Sequence, residues 1–140
     1  MIGVIIVTHG DLGSHLVKTS EAIIGPQEKV KAISLFPEEG IDALREKITK
    51  ALDELSAAKG VVIFTDMIGG TPTNTSLSLA HREDIEIITG VNLPMLLACF
   101  ASREVISLVE LSDKLCQTGH KSIVNAKQIF LKKLKDSKNK

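Results

Sequence analysis

Ile2-Gly3-Val4-Ile5-Ile6-Val7, followed at once by Thr8-His9-Gly10, is the stretch on which the fold reading turns. A nearly unbroken aliphatic run fits a strand covered on both faces, as in a parallel sheet. Outward from it, Leu12, Leu16, Thr19 and Ile23 recur at helical spacing until Gly25-Pro26 ends them. Val30–Leu35 reads as a second strand, broken by Pro37. Ile41, Leu44, Ile48, Leu52 and Leu55 mark one face of a second helix, which Gly60 follows. Val61–Thr65 is a third strand ending at Asp66, and Met67-Ile68-Gly69-Gly70-Thr71-Pro72 opens a third helix through about Ala80. Ile85–Thr89 is a fourth strand. Gly90 and Asn92 then turn the chain, and Pro94 is tolerated in the first helical turn, where its amide needs no partner.

Four βα units in series predict an α/β fold: a doubly wound, mostly parallel sheet of order 2-1-3-4, with right-handed crossovers and helices on both faces. Beyond Ser102 the periodicity weakens. Leu108–Leu115 reads as helix, Ser122–Phe130 as helix or strand, and Lys132–Lys140 as a frayed, Lys-rich tail. The expected organisation is a single domain over 1–130 and a tail over 131–140.

The chain has 140 residues, enough for one domain that buries roughly two thirds of its unfolded surface. Seventeen Lys plus Arg balance seventeen Asp plus Glu, which argues against a nucleic-acid-binding protein. With no Trp, no Tyr and four Phe, aromatic platforms for single strands or a flavin are improbable. Cys99 and Cys116 show no metal-ligand spacing and read as reduced thiols of a cytoplasmic protein, so neither metal nor cofactor is expected. The N-terminus lacks the basic lead-in of a signal peptide, and no stretch approaches the roughly 20 apolar residues of a membrane span.

In a doubly wound sheet, ligands bind beyond the carboxyl ends of the strands, where the strand order reverses. Order 2-1-3 places that point between the loops after strands one and three, so His9 and Asp66 are expected to face each other. Gly69 and Gly70 permit close backbone approach, and Thr71 as N-cap with Pro72 behind it would open a helix whose amides suit a phosphate. Gly-Gly-Thr-Pro reads equally well as an ordinary loop-to-helix junction. A histidine held by a carboxylate beside such a helix start suggests a nucleophilic imidazole, one nitrogen attacking phosphorus while the other is fixed by the acid. Asp11 is expected to cap the first helix. His15, His81 and His120 read as surface histidines.

Three motifs in order, Thr8-His9-Gly10, Asp66-Met67-Ile68-Gly69-Gly70-Thr71-Pro72-Thr73-Asn74 and Gly90-Val91-Asn92-Leu93-Pro94-Met95, resemble the enzyme IIA component of the mannose-type (mannose/fructose/sorbose) sugar phosphotransferase system. The similarity runs from residue 1 to about Gly119. The resemblance implies that His9 accepts a phosphoryl group from the phosphocarrier HPr and passes it to a separate IIB chain, serving membrane subunits IIC and IID. It implies that Asp66 orients His9. Gly10, Gly69, Gly70 and Thr71 are the expected phosphate-binding positions, with Thr8 and Ser14 as further contacts. It also implies a homodimer that exchanges a C-terminal antiparallel strand, for which Ser122–Phe130 is the natural candidate. A regulatory phosphoprotein of the same fold is the main rival. A dihydroxyacetone kinase phosphodonor fits less well, because its loop resembles Asp-Met-Gly-Ser. A flavodoxin-like binder would want a hydroxyl-rich first loop, and a receiver domain an acidic pair where this chain has His9.

Overall fold

The computed structural model describes residues 1–57 and 59–139. Strands β1 (Gly3–His9), β2 (Val30–Leu35), β3 (Val61–Thr65) and β4 (Ile85–Thr89) form one sheet of order 2-1-3-4, parallel throughout, as expected. Six helices accompany them among the described residues: α1 (Leu12–Ile24), α2 (Ile41–Leu55), α3 (Thr71–Leu77), α4 (Leu93–Ser102), α5 (Leu108–Lys121) and α6 (Ala126–Lys138). None is long and apolar enough to cross a membrane.

The β1 run is aliphatic on both faces because it serves two cores. Ile2, Val4 and Ile6 join Val62, Phe64 and Ile88 beneath Leu96, Phe100, Leu111 and Leu115 of α4 and α5, with Leu16 and Val17 of α1 alongside. Ile5 and Val7 join Ile63 and Ile85 beneath Leu44, Ile48 and Leu55 of α2. Each fully buried aliphatic side chain contributes about 1.5–3 kcal/mol, and Val4 to Val7 are wholly buried, so a polar residue there would disrupt one layer or the other. β1 pairs with β3 as far as Val7↔Thr65 and with β2 as far as His9↔Leu35. His9 and Asp66 therefore emerge side by side at the carboxyl end of the sheet.

Four local expectations shift. The third helix gives way after Leu77 to tighter turns reaching Ala80, whose amide bonds to Leu77 O. Ser76 and Ser78 hydroxyls return to Pro72 O and Thr75 O, and such bonds compete with helical continuation. Asp11 occupies the α1 N-cap without making the cap bond; Thr8 Oγ1 accepts instead from Gly13 N–H at 2.9 Å. The strand expected over 122–130 is not formed. Asn125 caps α6 by accepting from Gln128 N–H, and the helix runs through Phe130 to Lys138. A strand exchanged between protomers draws its hydrogen bonds from another chain, whereas in one chain this segment satisfies its backbone locally as helix. The helix also crosses residue 131, so the Lys-rich tail continues an ordered element rather than starting a frayed one.

Candidate active site

Asp66 sits one residue past β3, its carboxylate fixed by three donors. Oδ2 accepts from the His9 amide at 2.9 Å and lies 2.7 Å from His9 Nδ1, while Oδ1 accepts from Met67 N–H at 3.0 Å. Burial alone would raise the Asp66 pKa. The bonds from the His9 amide, the His9 ring and the Met67 amide outweigh it and hold the carboxyl below its ordinary value. An ionised carboxylate only accepts, so the proton of the His9–Asp66 bond resides on Nδ1. In the neutral ring, Nε2 is then the nitrogen with the free lone pair. The histidine side chain is 50% exposed and that of Asp66 only 11%, so the acid is sheltered and the ring is not.

The 66–70 loop closes over one edge of this pair. Gly69 adopts φ +82°, a left-handed turn that favours glycine. A Cβ on Gly70 would lie 3.0 Å from His9 Cε1, so the absent side chain is what lets the backbone stand against the ring. Gly70, not Thr71, takes the N-cap position of α3, with Thr71 and Pro72 opening the helix. Among the described residues, the amides of Gly69, Gly70 and Thr71 meet no acceptor, and the loop offers them to an anion.

The other expected contacts divide. Gly10 turns the chain at φ +54°, but its amide already donates to Leu35 O at 2.8 Å. Thr8 is buried, its hydroxyl accepting from Gly13 N–H and donating to Gly10 O; it shapes the loop from below. Ser14 is half-buried in the first turn of α1, and its hydroxyl has no hydrogen-bond partner among the described residues. Asp11 accepts from Ser34 Oγ at 3.2 Å. Ser34 belongs to β2, on the opposite side of β1 from Asp66, so the Asp11 carboxylate leans away from the His9–Asp66 pair. His15, His81 and His120 are exposed.

Sequence reasoning missed the support under the loop. Thr73 Oγ1 donates to Met67 O at 2.6 Å and lies 2.7 Å from Thr65 Oγ1 and 3.3 Å from Thr89 Oγ1. The available signal was a threonine closing each of two consecutive aliphatic strands, Thr65 and Thr89, with a third on the helix between them. Exposed apolar residues flank the pair: Met67 and Ile68 on the loop, Leu12 at the start of α1.

A family model described as PTS system fructose IIA component matches residues 3–116. The chain is 37% identical to the PTS system fructose-specific EIIA component of Bacillus subtilis over 116 residues, 82% of this chain and 80% of that one. It is 38% identical over 104 residues to the mannose-specific EIIAB component of Escherichia coli, spanning 74% of this chain but 32% of that longer one. The crystal structure of the phosphotransferase system component EIIA from Streptococcus agalactiae superimposes with a TM-score of 0.83 at 30% identity, covering 91% of this chain and 99% of that one. With the sheet order, the loop motifs and the extent of these matches in agreement, the chain belongs to the mannose/fructose-type enzyme IIA family of the phosphotransferase system.

Proposed function

We propose that this protein is a phosphoryl carrier for sugar uptake, accepting phosphate from phospho-HPr on His9 Nε2 and delivering it to a histidine of a IIB partner that serves the membrane subunits IIC and IID. The observation that carries this reading is the 2.7 Å His9 Nδ1–Asp66 Oδ2 bond, which makes the two ring nitrogens unlike and leaves the outward one as nucleophile. In the forward step Nε2 bonds to phosphorus as the donor's P–N bond breaks. Nδ1 keeps its proton throughout. The positive charge that develops on the ring is matched by the Asp66 carboxylate, and onward transfer to IIB reverses the step. A phosphoryl group carries close to two negative charges, yet neither loop contains Lys or Arg. The free amides of Gly69, Gly70 and Thr71 are the groups available to meet it.

The half-exposed ring suits a site that must meet two protein partners in turn, with Met67, Ile68 and Leu12 as apolar docking contacts around it. We also propose that the protein is a homodimer, on the strength of an exposed apolar row between residues 123 and 134, and that it acts in the cytoplasm, where the proposed exchange with HPr and IIB would take place. Incubation with enzyme I, HPr and radiolabelled phosphoenolpyruvate should give one acid-labile phosphate at His9, absent in His9→Ala. Adding IIB should discharge it. Normal labelling of His9→Ala would refute the assignment.

A further inference from the structure

The loop that carries Asp66 and Gly70 hangs on one buried hydroxyl. Thr73 is 3% exposed, and its Oγ1 donates its only proton to Met67 O at 2.6 Å. Since a hydroxyl has one proton and two lone pairs, the neighbouring hydroxyls of Thr65 and Thr89 must donate to it. Thr73 is thereby saturated. Thr65 and Thr89 close β3 and β4 and are paired across the sheet, so the rigid ends of two strands define where the Met67 carbonyl sits. Met67 then acts on both groups that touch His9. Its amide donates to Asp66 Oδ1, and its carbonyl oxygen and Cγ lie 3.5 and 3.4 Å from the place a Gly70 Cβ would occupy.

We propose that Thr73 is a positioning residue for His9: its hydroxyl holds the 66–70 loop so that Asp66 keeps the proton on Nδ1 and Gly70 confines the ring, leaving Nε2 free to attack. The kinetic consequence rests on the phosphoryl-carrier reading above; the tautomer consequence does not. A residue that merely filled space would be replaceable by valine, which has nearly the same shape. Valine, however, strips the Met67 carbonyl, the buried Thr65 hydroxyl and the half-buried Thr89 hydroxyl of their common partner, and such groups then seek others by moving.

The test compares the full-length protein with Thr73→Val, Thr73→Ser and Thr73→Ala. Imidazole nitrogen NMR reads the His9 tautomer, phospho-HPr labelling gives the rate at saturating and limiting donor, and thermal melting gives stability. The wild type should show the Nδ1–H form. Thr73→Val should show a mixture of both tautomers and uptake on the order of 10²-fold slower at saturating donor, with half-saturation unchanged. Thr73→Ser should restore tautomer and rate even though its melting temperature falls. Should Thr73→Val not fold, Thr73→Ala, which leaves room for water to reach the Met67 carbonyl, should give the same tautomer mixture. A wild-type tautomer and rate in Thr73→Val or Thr73→Ala, or a Thr73→Ser protein as impaired as either, would overturn the proposal. A wild-type protein that takes no phosphate from phospho-HPr, while the tautomer still responds to residue 73, would overturn the carrier reading and leave the positioning role standing.

Discussion

Asp66 accepts from the amide and ring of His9 through Oδ2 and from Met67 N–H through Oδ1, and an amide side chain cannot accept at both ends. In Asp66→Asn, one side of the carboxamide becomes an NH2 group facing either Met67 N–H or His9. Facing His9 Nδ1, it donates, which moves the ring proton to Nε2 and removes the lone pair on which the proposed transfer depends. Phosphoryl uptake by Asp66→Asn should therefore fall on the order of 10²-fold or more, measured as the initial rate of labelling. Stability should fall as well, by about 1.5–3 kcal/mol at neutral pH, since hydrogen bonds to a charged acceptor are lost. The pH dependence has a definite sign. The folded-state pKa of Asp66 lies below its unfolded value, so its contribution is complete above the ordinary carboxylate range and is lost as pH falls through the folded pKa. Urea unfolding midpoints of wild type and Asp66→Asn should converge between neutral pH and pH of about 3; a gap constant across that range would contradict the bonding. Gly70→Ala makes a second residue-scale test. Its methyl would come 3.0 Å from His9 Cε1, and the Met67 side chain and carbonyl prevent retreat on the other side. The ring must turn, and labelling should slow while the fold, read by circular dichroism, is retained.

Among the elements, those with a face to bury were legible in the sequence, and those whose meaning depends on a distant neighbour were not. β3 and the apolar row of α2 reproduce their expected bounds, and β1 runs from Gly3 two residues past its aliphatic stretch to His9, because burial on two faces or one face leaves a period in the residues themselves. The caps carry no such period. Asp11 is a good capping residue by type, but Thr8, three residues earlier on β1, reaches the Gly13 amide first. The His9–Asp66 pairing was legible because strand order alone brings those loops together, whereas the Thr65–Thr73–Thr89 cluster required knowing that β3 and β4 end level. Arg103 is the strongest case of the illegible kind. Arginine is mostly a surface residue, yet Arg103 is 1% exposed and lies 5.2 Å from the Phe100 ring. Its guanidinium donates to Ile2 O, Lys29 O, Gln27 Oε1 and Glu28 O, tying α4 to the entrances of β1 and β2 at the end of the sheet remote from His9. Arg103→Met should leave those acceptors unpaired and cost about 3 kcal/mol or more, lowering Tm by on the order of 10 °C. His9 labelling well below that temperature should be nearly unchanged. A loss of labelling at a temperature where the variant is folded would mean that the two ends of the sheet are coupled.

Charge over the whole molecule is balanced in number but not in place. Residues 126–140 hold six lysines and one aspartate, leaving eleven basic against sixteen acidic side chains in the rest of the chain. The same segment is the one whose structure departed from expectation: α6 buries none of its residues, and Ile123, Val124, Ile129, Phe130, Leu131 and Leu134 are all exposed. A basic, apolar segment beside an acidic body is what a protomer would present if a second copy received it, whether as helix or, after unwinding, as an added strand along the open edge of β4. Removal of residues 122–140 tests this without touching the site, because α5 ends at Lys121 and both cores lie within residues 2–115. Sedimentation at micromolar concentration should find the full chain dimeric and the shortened chain monomeric. Raised salt should weaken the full-length dimer if the charge asymmetry contributes to it, since surface attraction is screened beyond about 10 Å at 0.1 M. The shortened chain should still take up phosphate on His9. A full-length monomer would remove the dimer from the proposed function, and a shortened chain that stayed dimeric would move the interface off the C-terminal segment altogether.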